Sequence, residues 1–230
     1  MNAYIIVEGK CTETLVIPEW LKILAPNMIR INDPWNANQN NYYLFDGGGI
    51  PQIYKHIVNA VRDVNAINTT GVTHYDCIMV LMDVEEETKG IIAQRIQEEL
   101  DNAQISLVNA ELVLFEQKIC IESWFLGNRT IYKDNPQDEV LRSYINYYNV
   151  KVDNPELMGN ISIDKFATKA QFHHSYLSHI FKERHIKYRK NNPDTVCKQT
   201  YLEKLIERYS ETGHISTFGV WYDFVINNFR

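Results

Sequence analysis

The chain has 230 residues, of which 45% are hydrophobic and 23% are charged, and its formal net charge is −6. This length suffices for one large domain, or for an α/β domain with a smaller extension. The four cysteines show no metal-ligand spacing, which argues against a zinc site and a disulfide framework. No apolar run reaches the roughly 18–20 residues of a membrane span, so we expect a cytoplasmic protein with no membrane segment.

The first 130 residues alternate between strand-like and helix-like segments. Short apolar runs predict four strands, at Tyr4–Val7, Tyr42–Phe45, Cys77–Met82 and a region comprising Leu112–Phe115 and Ile119–Ile121. Apolar residues at helical spacing predict helices between them, at Glu13–Leu24, Pro51–Asn65 and Lys89–Leu100. This order predicts an α/β core over residues 1–130, a mostly parallel four-stranded sheet flanked by helices.

Residues 131–230 are expected to form a mainly helical extension packed on the core. Helices are predicted at Glu139–Tyr147, Lys165–Ile186, Lys198–Tyr209 and Phe218–Phe229. His173, His174 and His179 fall within one of them. They lack the partners of a zinc motif, so we expect them to be surface residues.

Charge differs between the two parts of the chain. Residues 1–150 contain 11 Lys/Arg and 20 Asp/Glu, whereas residues 151–230 contain 12 Lys/Arg and 9 Asp/Glu. An acidic part beside a mildly basic part is typical of a metal centre next to a phosphate-binding surface. Solvated surfaces explain the same pattern, so charge alone does not decide between the two.

Acidic residues follow the predicted strands. Glu8 comes after the first strand, Asp83 and Glu85 after the third, and Glu122 after the fourth. Carboxyl ends of parallel strands meet at one edge of a sheet, so these groups are expected to converge. Mg²⁺ prefers oxygen ligands, and metal-assisted phosphoryl chemistry uses several carboxylates. The sequence therefore predicts a site for Mg²⁺ or Mn²⁺, with Asp83 and Glu85 as ligands and Glu8 as general base or ligand.

Two of these segments resemble motifs of the TOPRIM family. Val7-Glu8-Gly9-Lys10 with Thr12-Glu13 resembles its first motif, and Asp83-Val84-Glu85 resembles its second, which is usually Asp-x-Asp. The segment Ile119–Leu126 is similar to the acidic third motif of the OLD-family and RloB-like TOPRIM nucleases, and the turn Gly47–Gly49 also recurs in that group. The resemblance implies that Glu122 is a further metal ligand. It also makes Glu13 a candidate ligand, with a favourable acid in the first helical turn as the alternative.

A basic segment lies in the predicted extension. Residues 182–190 contain five Lys/Arg in nine positions, with Tyr188 among them. We expect Lys187, Arg189 and Lys190 to contact nucleic-acid phosphates, together with Lys10 beside the first motif. The resemblance implies that a lysine of this extension assists at the scissile phosphate, and Lys190 matches it best. An exposed helix end is the alternative.

Together these features predict a metal-dependent nuclease that cleaves DNA or RNA. The resemblance implies a role in antiphage defence beside a separate ABC-type ATPase partner. Two alternatives stay open: an RNA-maturation TOPRIM nuclease, and a TOPRIM-like binding or regulatory module without catalysis. The sequence decides neither the substrate nor the oligomeric state.

Overall fold

The computed structural model describes residues 1–70, 73–85 and 87–229. Five strands form one parallel sheet in the order β2-β3-β1-β4-β5. Their bounds are β1 Ala3–Val7, β2 Ile29–Ile31, β3 Asn41–Asp46, β4 Cys77–Val84 and β5 Glu111–Lys118. The amide of Glu111 donates to Asp76 O, and the amide of Ile119 donates to Val84 O. Donor and acceptor are equally far apart in the sequence in both bonds, as expected when β4 and β5 are parallel.

The central strands explain why the sheet is parallel and covered on both faces. Every residue of β1 is buried, and so are the first six residues of β4. A strand buried on both faces carries an unbroken apolar run instead of an alternating one. The expected α/β class is therefore confirmed.

The prediction of four strands is wrong, because β2 was missed. This strand has three residues, and none of them is buried, so it lacks the apolar run that identifies the others. The predicted strand at Ile119–Ile121 is also wrong. Ile119 has a positive φ of 73°, which extended strands do not adopt, and a helix begins at Ile121.

The helices between the strands are close to their predicted positions. They are α1 Thr12–Leu24, α2 Gln52–Thr69 and α3 Lys89–Asn102. The remaining helices are α4 Ile121–Phe125, α5 Glu139–Tyr147, α6 Lys169–Glu183, α7 Asp194–Cys197, α8 Gln199–Thr212 and α9 Ser216–Asn228. Helix α5 has the predicted bounds, and each of α6, α8 and α9 differs from its prediction by one to four residues at either end.

The chain divides into two compact units. The first, the sheet unit, comprises residues 1–82, 87–116 and 223–230; the second, the helical unit, comprises residues 83–86 and 117–222. In the sheet unit, α2 packs against α3 and β1, and α1 packs against β3. In the helical unit, α6 packs against α4 and α5. The predicted division into a core over residues 1–130 and a helical extension over residues 131–230 stays a prediction.

The order in which the chain passes through the strands defines the position of one crevice. From β1 the chain moves outward to β2 and β3, and it then returns past β1 to β4 and β5. Ligands of open α/β sheets bind outside the carboxyl ends of the strands where this direction reverses, which here is between β1 and β4. Glu8 is the first residue after β1.

Two further expectations concern membranes and cysteines. No helix within the described residues is long and apolar enough to cross a membrane. All four cysteines lie in the described part of the chain, and all four are free thiols.

Candidate functional site

In the sheet unit, the backbone of Glu8 is held on two sides. Its amide donates to Leu81 O at 3.0 Å, which extends the β1–β4 ladder by one residue. Its carbonyl accepts from the amide of Gly49 at 3.2 Å. Gly48 and Gly49 have φ of +72° and +78°, a conformation that glycine adopts without strain. The glycine turn therefore stabilises the chain directly after β1, and the Glu8 side chain there is partly exposed.

Glu13 lies close to Glu8 in the same unit. It is 5% exposed, and its carboxylate lies so near the Cα of Gly9 that any Cβ at Gly9 would overlap it. A side chain at position 9 would therefore displace the Glu13 carboxylate from this position. Lys10, the predicted phosphate contact, is exposed next to this turn.

In the helical unit, Asp83 and Glu85 lie at the end of β4 and just beyond it, and both are partly exposed. Opposite them in the ladder, the chain leaves β5 through Ile119, whose amide donates to Val84 O at 3.0 Å. A left-handed φ at a β-branched residue is strained, and such residues cluster at functional sites. This strained residue precedes α4, which carries Glu122.

Glu122 is the centre of an ionic cluster in the helical unit. Its side chain is 2% exposed, and its Oε1 lies 3.1 Å from His174 Nδ1 and 3.3 Å from Lys190 Nζ. Burial alone would raise the pKa of this carboxyl group, but the hydrogen bond from His174 and the charge of Lys190 outweigh it and lower the pKa to about 2. Glu122 is therefore an anion at neutral pH.

Two of the predicted acids influence the pKa of the Cys120 thiol. Burial raises its pKa well above the usual value, and the negative charges of Glu122 and Asp83 raise it further. Both carboxylates thus act on one buried atom within the helical unit.

The expectation that all three histidines are surface residues is wrong for His173, which is fully buried. Its Nε2 lies 3.0 Å from Met158 O and therefore donates, so Nδ1 accepts the hydrogen bond from Ser123 Oγ at 2.9 Å. Burial lowers the pKa of His173 to about 4, and this histidine is neutral and structural.

His174 is the functional candidate that the sequence did not identify. A carboxylate only accepts hydrogen bonds, so Nδ1 donates the hydrogen bond to Glu122, and Nε2 is not part of this contact. About a third of the side chain is exposed. The two paired residues are 52 positions apart, and nothing in the sequence indicates that they lie close together.

The three basic residues of the helical unit that were predicted to contact phosphate occupy two places. Lys190 contacts Glu122, whereas Lys187 and Arg189 line a cavity of about 460 Å³ with Lys182 and His185. Tyr188 also lines this cavity, and its ring lies 6.0 Å from that of His174 and 5.3 Å from that of Phe181. The Tyr188 ring is thus packed against other rings of this unit.

The carboxylates have the chemistry that a magnesium ion requires. Asp83, Glu85 and Glu122 offer hard oxygen donors, and Glu122 is held in its ionised form. Within residues 1–70, 73–85 and 87–229, no three His, Cys, Asp or Glu side chains are arranged as a metal-binding group. The donor types fit Mg²⁺, and its coordination stays a prediction.

The fold and the cluster together define the class: an α/β protein with a five-stranded parallel sheet and an acidic and basic cluster in its helical unit. Comparison with protein-family models, with curated proteins and with solved structures finds no match.

Proposed function

We propose that the protein is a metal-dependent phosphodiesterase that cleaves nucleic acid. The single observation that carries the proposal is the buried Glu122 carboxylate, kept ionised by His174 and Lys190. Buried carboxylates with perturbed pKa values are frequent at catalytic sites. The position of Glu8 at the end of β1, and the resemblance of its segment and of Asp83-Val84-Glu85 to TOPRIM motifs, give further support.

Each of the candidate site residues has a proposed role. Asp83, Glu85 and Glu122 would hold Mg²⁺ or Mn²⁺, which when bound neutralises charge on the phosphate and activates water. Lys190 is 57% exposed, so its ammonium group can leave Glu122 and bind a phosphate oxygen. His174, oriented by Glu122 through Nδ1, can accept a proton at Nε2. For Glu8 the role of general base or metal ligand, and for Glu13 that of a further ligand, are proposed from the resemblance alone.

A cleavage assay tests this function directly. The purified protein is incubated with plasmid DNA, single-stranded DNA and tRNA in Mg²⁺, in Mn²⁺ and in EDTA. We expect cleavage of at least one substrate with a metal ion and none in EDTA. Cleavage that persists in EDTA, or no cleavage of any substrate with either metal ion, overturns the proposal.

A second function is favoured by the same contacts. Because Glu122 already pairs with two basic groups, the cluster can be a rigid part of a nucleic-acid-binding module without catalysis. In that case the protein binds nucleic acid equally well with and without metal, and it cleaves nothing. The assay above separates the two functions.

A role in antiphage defence, with a separate ABC-type ATPase partner, is proposed from the resemblance alone. Genes that neighbour this one are the first test, followed by co-purification with any ATPase that they encode. An RNA-maturation role would instead appear as selective trimming of structured RNA in the cleavage assay.

A further inference from the structure

The cavity beside the Glu122 cluster is unusually basic. Of the described residues, it is lined by Ser178, Lys182, His185, Ile186, Lys187, Tyr188 and Arg189. No carboxylate is among them. Lys182 is 3.3 Å from Asp138 Oδ2, but within the described part of the chain the side chains of His185, Lys187 and Arg189 have no ion-pair or hydrogen-bond partner. His185, Lys187 and Arg189 thus line one concave surface without a paired acid among the described residues, and such a surface attracts an anion.

The backbone that carries these cations is held in place. Helix α6 is followed by a left-handed residue, His185, with φ 56°. The amide of Ile186 donates to Phe181 O at 2.8 Å. This is the hydrogen bond of a Schellman motif, with histidine where glycine is usual. Arg184 donates to the carbonyl groups of Thr130, Ile131 and Tyr132. The turn after α6 is therefore fixed before any ligand binds.

The next turn separates two neighbouring basic side chains. Arg189 and Asn192 exchange backbone hydrogen bonds, with N–O distances of 3.4 and 2.9 Å. Arg189 lines the cavity, whereas Lys190, the following residue, reaches Glu122. One short segment thus places a cation in the cavity and another at the cluster.

We propose that this cavity binds the terminal phosphate of a nucleic-acid strand. An internal phosphodiester carries one negative charge and is usually matched by a row of cations along a groove. A terminal phosphate carries about −1.5 to −2 charges at neutral pH. Lys187 and Arg189, with His185 as a hydrogen-bond donor, line one concavity instead of a row along a groove, which suits the more highly charged group.

The cavity and the cluster share the same structural elements. Tyr188 lies between them in the chain and contacts the ring of His174, while Lys190 follows two residues later. A terminal phosphate in the cavity therefore places the adjacent part of the strand near Glu122. This step rests on the proposed function, and it makes the substrate class a phosphorylated strand end.

The test measures binding in EDTA, so that it does not depend on cleavage. One fluorescent oligonucleotide is prepared with a 5′-phosphate, with a 3′-phosphate and with hydroxyl groups at both ends, and anisotropy gives each Kd. We expect one phosphorylated form to bind about tenfold more tightly than the hydroxyl form. In the K187A/R189A double variant this preference disappears. Lys198→Ala, which removes an equally exposed lysine outside the cavity lining, keeps it.

Other results decide against the proposal. Equal affinity of the wild-type protein for all three oligonucleotides overturns it. If a nucleoside monophosphate or inorganic phosphate displaces the phosphorylated strand and binds as tightly as the strand does, the cavity is a site for small phosphates. That result also overturns the proposal. His185→Asn is a second variant, chosen because asparagine tolerates the left-handed conformation of this residue. If both this variant and the double variant still prefer the phosphorylated oligonucleotide, the assignment is contradicted. Metal-dependent cleavage of circular DNA without any end preference would refute this inference alone, whereas end preference without any cleavage would refute the proposed function.

Discussion

The Nδ1 atom of His174 lies 3.1 Å from the Oε1 atom of Glu122, although the two residues are 52 positions apart in the chain. This hydrogen bond joins α4 to α6, and it fixes both the ionisation of the carboxylate and the orientation of the imidazole ring. It is the pairing on which the proposed chemistry depends, because Lys190 contacts the same oxygen atom.

The first prediction concerns activity after the loss of this anion. Glu122→Gln removes the negative charge but keeps an oxygen that accepts from His174, so the fold is expected to persist. Metal-dependent cleavage should fall by at least about 100-fold, because a metal ligand and the partner of Lys190 are lost together. Glu139→Gln, at a 90%-exposed carboxylate of the same unit, is the control and should cleave normally. Equal activity of the two variants would contradict the assignment.

The second prediction concerns stability and pH. The pKa of Glu122 is about 2 in the folded protein against an ordinary 4.5, so its ionised form stabilises the fold above pH 4.5, and this contribution is lost as the pH falls towards 2. At one pKa unit per ~1.4 kcal/mol, the contribution at neutral pH is at most about 3 kcal/mol. Urea unfolding of the wild type and of Glu122→Gln should show a difference at pH 7 that shrinks below pH 4.5. A constant difference across this range would show that Glu122 is not the titrating group.

The third prediction concerns Glu8. Glu8→Gln is expected to abolish cleavage and to leave the midpoint of thermal unfolding within a few degrees of the wild type, because the substitution keeps the size of the side chain and the backbone hydrogen bonds of Glu8 to Leu81 and Gly49. Glu19→Gln removes a carboxylate of similar exposure on α1 and is the matched control. Normal cleavage by Glu8→Gln, or its unfolding, would show that the residue has no catalytic part.

The fourth prediction concerns a buried acid outside the candidate site. Glu156 is 1% exposed and accepts hydrogen bonds from Ser216 Oγ, Thr217 N and Thr217 Oγ1 at the start of α9. Glu156→Ala leaves the two buried Thr217 donors without an acceptor and should destabilise the protein by about 1–3 kcal/mol. Glu156→Gln keeps one accepting oxygen and should cost less. Urea unfolding at neutral pH measures both, and an alanine variant as stable as the wild type would mean that α9 does not need this cap.

Local patterns determined much of the architecture. The apolar runs of β1 and β4 predict buried strands because strands covered on both faces need no polar residues, and the periodicity of α5 predicts its bounds because one face of that helix is buried. Strand β2 was missed for the opposite reason. Its three residues are held by backbone hydrogen bonds to β3, and backbone bonds leave no trace in side-chain type.

The residues of the candidate site were visible in the sequence, but their grouping was not. Glu122 and Lys190 were each predicted separately, and His174 was assigned to the surface with His173. Whether a histidine is buried, exposed or bonded to a carboxylate depends on which helix packs against its own, here α4 against α6, and such packing joins residues far apart in the chain. The sequence by itself therefore determined the parallel sheet and the acids that follow its strands. Only the tertiary structure decided that Glu122, His174 and Lys190 meet, because the burial and the charges that hold Glu122 ionised come from three separate segments.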